Sequence, residues 1–181
     1  IYRVDNVKIY DPTAAPGNHV LFADAPVSGW SIWDCCGGST PTLENDDTDH
    51  GVTAEFIIGS EPTVMGLLAE DDIFIDASSI LADGVVQFDL KVITPANDAS
   101  ASWLFKIESN GASTFAELAL SSSIEGAEPV VGAWQTYTFP LQTLFDAGLD
   151  ISGIDALMFF PAWGTGDGAV YRVDNVSIKV P

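Results

Sequence analysis

Hydrophobic and polar positions alternate with a period of two along much of the chain. The clearest run is Val85-Val86-Gln87-Phe88-Asp89-Leu90-Lys91-Val92, where from Val86 onward every second side chain is apolar and those between are polar. Such alternation marks a strand with one face on the core and one in water. Comparable stretches, separated by Gly, Pro, Asn and Asp, predict strands over residues 19–22, 30–33, 52–58, 64–68, 85–93, 103–108, 113–120, 134–139, 156–160 and 170–178. A helix fits only around residues 76–81 and 141–148. Many short strands and almost no helix predict an all-β chain, folded as an antiparallel β-sandwich (jelly roll). Residues 34–50 break the pattern, and their acidic run Glu44-Asn45-Asp46-Asp47-Thr48-Asp49 reads as a loop too polar for the core.

The last predicted strand carries a second signal. Its six letters Tyr171-Arg172-Val173-Asp174-Asn175-Val176 repeat those of Tyr2-Arg3-Val4-Asp5-Asn6-Val7. A strand found at both extremities, with one unrepeated body between, suggests an array of related units. On that reading residues 1–10 are the last strand of a preceding repeat, residues 11–17 are a linker with Pro12, Pro16 and Gly17, and residues 18–181 are the sandwich. The other arrangement makes residues 1–10 an extra strand of the same sheet.

Length and charge narrow the choice of partners. The 181 residues suffice for one domain, since folding at that size buries about 70% of the extended surface. No apolar run approaches the roughly 20 residues that span a bilayer, so no membrane partner is expected. Acidic side chains number 26 against 6 basic ones, a net charge of -20. That field repels nucleic acid, anionic lipid and acidic polysaccharides, and favours neutral partners and divalent cations. For most of the carboxylates a salt-adapted surface is the simpler explanation.

Three groups of residues carry candidate chemistry. Cys35 and Cys36 are adjacent, with Cα atoms about 3.8 Å apart across a trans peptide, short of the roughly 4.4–6.8 Å of an ordinary disulfide. A bond between neighbours closes almost no loop and so adds little stability. If joined, the pair is a stiff apolar knob beside Trp33; the alternative is two thiols packed in the loop. A metal site built on them lacks partners, with only two His in the chain. Trp30 and Trp134 open strands and read as core. Trp163, in the glycine-rich Pro161-Ala162-Trp163-Gly164-Thr165-Gly166, and Trp33, beside the cysteines, read as exposed indoles, which suit the CH-rich face of a sugar ring. Trp103 fits either class, so the candidate ligand-binding set is Trp33, Cys35, Cys36, Trp163 and Trp103. Asp46, Asp47 and Asp49, with Asp24 and Asp174 as partners, offer the oxygens that Ca2+ takes. The plainer reading is that they are solvated and cap turns.

These stretches carry a resemblance. Leu21-Phe22-Ala23-Asp24, Trp134-Gln135-Thr136-Tyr137-Thr138-Phe139-Pro140-Leu141 and the closing Tyr171-Arg172-Val173-Asp174-Asn175-Val176 resemble the calcium-bearing jelly-roll carbohydrate-binding modules with a galactose-binding-like fold. Trp33-Asp34-Cys35-Cys36-Gly37-Gly38-Ser39 is similar to a segment in accessory domains of marine bacterial β-glucan hydrolases. The likeness covers nearly all of residues 18–181, and the cysteine-containing segment is its most specific part. It implies a structural calcium tying Asp24 and residues 46–49 to Asp174, although Asp24 stands where many relatives place a glutamate. It also implies sugar binding on a sheet face or at loop tips, of which Trp33 and Trp163 favour the tips, and a preference for laminarin-like β-1,3-glucan.

The expected function is therefore non-catalytic binding of a neutral polysaccharide. The setting implied is a secreted or cell-surface protein with further domains, this fragment itself being monomeric. A glycoside hydrolase needs two spaced carboxylates, but among 26 acids such a pair arises by chance. No nucleophile elbow, zinc-binding His pair or phosphate loop is present in the sequence, and His19 and His50 stand far apart, so no enzyme is expected. The other alternative is an adhesin or surface-array repeat without sugar binding.

Overall fold

A computed structural model of the chain describes residues 17–35, 41–59, 64–71 and 73–181. Eleven strands and a short helix run in the order β1 (His19–Phe22), β2 (Trp30–Cys35), β3 (Thr42–Asp47), β4 (Gly51–Ile57), β5 (Val64–Ala69), β6 (Val85–Thr94), β7 (Trp103–Ser109), β8 (Thr114–Ala119), β9 (Trp134–Pro140), α1 (Leu141–Asp146), β10 (Ile154–Pro161) and β11 (Val170–Lys179). They form two antiparallel sheets. The first has the order β3-β4-β11-β6-β9, with β1 also paired to β11, and the second β2-β5-β10-β7-β8. The all-β sandwich expected from the alternation is the fold observed.

Inward-facing aromatics join the sheets, as sandwich packing requires. Phe88 of β6 lies 4.4 Å from Phe159 of β10, and Phe105 of β7 lies 5.0 Å from Phe139 of β9, ring centre to ring centre. Trp103 meets Tyr171 edge-on at 5.0 Å. Gly66 lets β5 run close beside β10, because a Cβ there would fall 1.9 Å from the Leu157 carbonyl oxygen.

The acidic run departs from expectation. Residues 42–47 are not loop but strand β3, paired with β4 at the edge of the first sheet. Only Asp47 of that strand is buried, so no apolar face betrays it, and charge on an edge strand discourages further pairing. The helical expectations shrink to a 3-10 turn at Ser78–Ile80 and to α1.

Strand β11 shows what each letter of the repeated hexapeptide does. Tyr171, Val173 and Val176 are core, and the Tyr171 hydroxyl donates to the Phe159 carbonyl. Arg172 pairs with Glu55 at 2.8 Å and with Asp46. Asp174 meets His50 at 2.9 Å, and Asn175, left-handed at φ 53° in a bulge, donates to Asp89 at 2.9 Å. The first copy, in residues 1–10, lies outside the described residues.

Candidate functional site

Strand register assembles a surface on the outer face of the second sheet that no single stretch of sequence contains. One row runs Trp33, Gly66, Met158, Lys106, Glu117 across the five strands, and the next runs Ser31, Leu68, Ala156, Glu108, Phe115. From β2 to β8 this is four interstrand spacings, about 19 Å. Val64, Ala156, Met158 and Phe160 form an apolar cluster separate from the core, with Trp33, Cys35, Leu68 and Leu104 packed against it. Cys36 lies outside the described residues.

Trp163 follows β10 and turns back over this face. Its indole meets Phe160 edge-on at 4.9 Å, and its Nε1 donates to Glu117 Oε2 at 3.0 Å. Lys106 Nζ sits 5.7 Å from the Trp163 ring, 4.8 Å from the Phe115 ring and 2.7 Å from Glu108 Oε1. Both rings are thus oriented by charged neighbours while staying about half exposed, 48% for Trp163 and 51% for Phe115. Beside Trp33 the face deepens into a cleft of about 380 Å³, lined among others by Leu68, Glu70, Glu108, Asp155 and Ala156.

Several expectations change. The exposed indoles were expected at loop tips; instead Trp33 lies within β2 and faces outward, and Trp163 rests against the same sheet face. Trp103 lies on the inner face of β7, 6% exposed, and cannot offer its ring to a ligand. Trp30 is core as expected, but Trp134 is half-buried on the outer face of the first sheet. Sequence reasoning missed Phe115, Lys106, Glu108 and Glu117. The polar positions of Leu104-Phe105-Lys106-Ile107-Glu108 marked them as outward-facing, though not as neighbours of tryptophan.

The outer face of the first sheet gathers the acids proposed for calcium. Asp46 is taken up by Arg172. Asp47 Oδ2 accepts from Lys91 at 2.8 Å and from the Trp134 indole at 3.1 Å, and its Oδ1 accepts from the Asp49 backbone N–H at 3.1 Å. Burial raises the Asp47 pKa, but these donors outweigh it and hold the carboxyl at about 2. The Trp134 ring stacks on His50 at 3.9 Å. Asp49 is exposed. Asp24, left-handed at φ 59°, accepts the Val52 N–H at 3.0 Å.

Asp174 differs from the rest. One of its oxygens meets His50, and the other is buried without a partner among the described residues. Burial pushes its pKa up, the nearby Asp24 charge adds to that, and His50 with the Asn175 N–H opposes it. The five carboxylates are not one cluster, and among the described residues no group of three or more His, Cys, Asp or Glu is arranged to hold a metal ion. The orphaned Asp174 oxygen, with Asp24 nearby, is where added positive charge fits.

No family model matches the chain, and no curated protein matches it. Solved structures do. The chain is similar to the family 30 carbohydrate-binding module of a cellulosomal cellulase of Clostridium thermocellum, with 17% identity, 90% of this chain and 96% of that one covered, and a TM-score of 0.65. It is similar to the family 11 module of the same organism, in complex with a β-1,3-1,4-mixed-linked tetrasaccharide, with 17% identity, coverage of 91% and 96%, and a TM-score of 0.57. It also matches the extra C-terminal domain of an exo-1,3/1,4-β-glucanase from a Pseudoalteromonas species, with 11% identity, coverage of 90% and 92%, and a TM-score of 0.58. At such identities the likeness establishes a common β-sandwich.

Proposed function

We propose that this chain is a non-catalytic carbohydrate-binding module that holds a neutral β-glucan, laminarin-like β-1,3-glucan first, across the outer face of its second sheet. The observation that carries the proposal is the pair of half-exposed rings, Trp163 and Phe115, held on the same outer face as Trp33 around a buried apolar cluster. Aromatic rings fixed in place and left half exposed on the outside of a sandwich mark a contact surface. Indole and phenyl rings suit the CH face of a pyranose, while Glu108 and Glu117 accept from its hydroxyls. The mixed-linkage glucan bound by one structural neighbour supports the same class. A surface repeat without sugar binding would leave these oriented rings unemployed. Affinity electrophoresis against laminarin, mixed-linkage glucan, xylan, agarose and cellulose tests the proposal: laminarin retards the protein, and retardation by none of the five sinks it. Reducing-sugar release from the same panel would instead favour a hydrolase.

In this reading a structural Ca2+ is held by Asp24 and Asp174, supported by the Asp174 oxygen that is buried without a partner among the described residues. Asp46 and Asp47 stay with Arg172 and Lys91, and Asp49 stands in water. Calcium then raises the melting temperature and chelator lowers it; an unchanged melt in chelator removes the ion. A polymeric ligand places the protein outside the cell, secreted or at the surface. The repeated hexapeptide supports a preceding related unit, because a strand with the same letters at residues 2–7 reads as the closing strand of another sandwich.

A further inference from the structure

We infer that the cleft beside Trp33 is the unit-selecting subsite of this face, seating one uncharged pyranose ring and turning away anionic sugars. The inference rests on the carbohydrate-binding reading above. Trp33 lines the cleft from β2, Leu68 and Ala156 from β5 and β10, and Glu108 and Asp155 from β7 and β10, around about 380 Å³. An indole with apolar neighbours on one side and hydrogen-bond acceptors on the other matches the two-sided chemistry of a sugar ring.

Asp155 owes its place to a bulge. The pairing of β10 with β7 passes from Ile154–Ser109 to Ala156–Glu108, which leaves Asp155 as the extra residue. Bulges re-aim a side chain in this way, and often do so beside binding sites. Asp155 Oδ2 accepts the Gly111 N–H at 2.5 Å, and its other oxygen, without a partner among the described residues, is open to a ligand. Glu108 likewise commits Oε1 to Lys106 at 2.7 Å, and its Oε2 has no partner among the described residues. Hydroxyl groups donate to such oxygens, whereas a uronate or sulfate ester in the same place meets like charge and leaves acceptors facing acceptors. The Trp163 and Phe115 end offers half-exposed rings and stacks on pyranose rings of either sort.

The experiment compares binding of laminarin with binding of carboxymethylated laminarin. Wild type is expected to bind the neutral polymer at least about tenfold tighter, the size of one unfavourable charged contact. Glu108→Gln narrows that ratio, with the melting temperature recorded to confirm the fold, and Glu70→Gln at the rim does so less. The charge-matched control, Glu44→Gln on β3 of the other sheet, leaves the ratio where it was. Trp163→Ala weakens both polymers by a similar factor. Equal binding of the two polymers by wild type, or a control that narrows the ratio as much as Glu108→Gln, overturns the subsite while the binding module stands. Failure to bind either polymer overturns the module itself.

Discussion

The two sheets share one core yet turn opposite faces to water. On the first, charges are spent on each other: Arg172 lies between Glu55 and Asp46, Lys91 and Trp134 converge on Asp47, and Asn175 and Thr136 both donate to Asp89. On the second, Lys106 and Glu117 orient aromatic rings that remain half exposed over an apolar floor. On the first face most of these charges are already paired, the Asp174 oxygen excepted, while rings fixed but left half exposed on the second still gain by being covered. The same alternation produces both faces. What separates them is whether the polar residues find partners within the protein.

The comparison breaks most visibly at Arg172. Its side chain is 11% exposed between two carboxylates, so Arg172→Ala is expected to cost about 3 kcal/mol of stability by leaving Glu55 half-buried without a cation. Urea unfolding measures the loss, and laminarin affinity of the folded variant stays near wild type. The opposite face gives the opposite result. Trp163→Ala weakens laminarin binding by about 2 kcal/mol, roughly thirtyfold in Kd, as removal of an aromatic anchor does. The melting temperature barely moves; a collapse in stability would mean that the indole serves the fold instead.

Acid probes the first face more gently. The folded pKa of Asp47, about 2, lies below the ordinary carboxylate value, so its contribution is present above about pH 4 and is lost as pH falls toward 2. Asp174 has the reverse sign, because its raised pKa favours the folded state below the ordinary value and loses that contribution as pH rises through the folded pKa. Asp47→Asn is therefore expected to flatten the fall in stability between about pH 4 and pH 2, and an unchanged acid limb contradicts the assignment. The smallest effect belongs to the turn beside the cleft. Ala112 is left-handed at φ 64°, and Ala112→Gly relieves about 1 kcal/mol of backbone strain, seen as a modest rise in melting temperature with laminarin affinity kept.

How much of this was legible in the sequence depends on the kind of signal. The β6 alternation located its strand to within a residue, because inward and outward positions are set by the local pleat. Strand β3 was missed since an edge strand with water on both sides has no apolar period to read. Trp134 was assigned to the core from its place at the start of a strand, yet it faces out and is held by Asp47 and His50, residues far away in the chain. Trp163 was read as exposed from its glycine-rich setting and is half exposed, whereas Trp103 fitted either class until packing put it beneath the sheet.

Taken alone, the sequence determined the all-β class, the position of most strands and the acidity that favours an uncharged partner, because each is a property of composition or of a short window. Tertiary structure alone decided that Trp33, Met158, Lys106 and Glu117 share one row and that Asp155 lines the same cleft as Trp33. Those neighbours come from strands far apart in the chain, and pairing register between distant strands is settled by how the whole sandwich closes on its core.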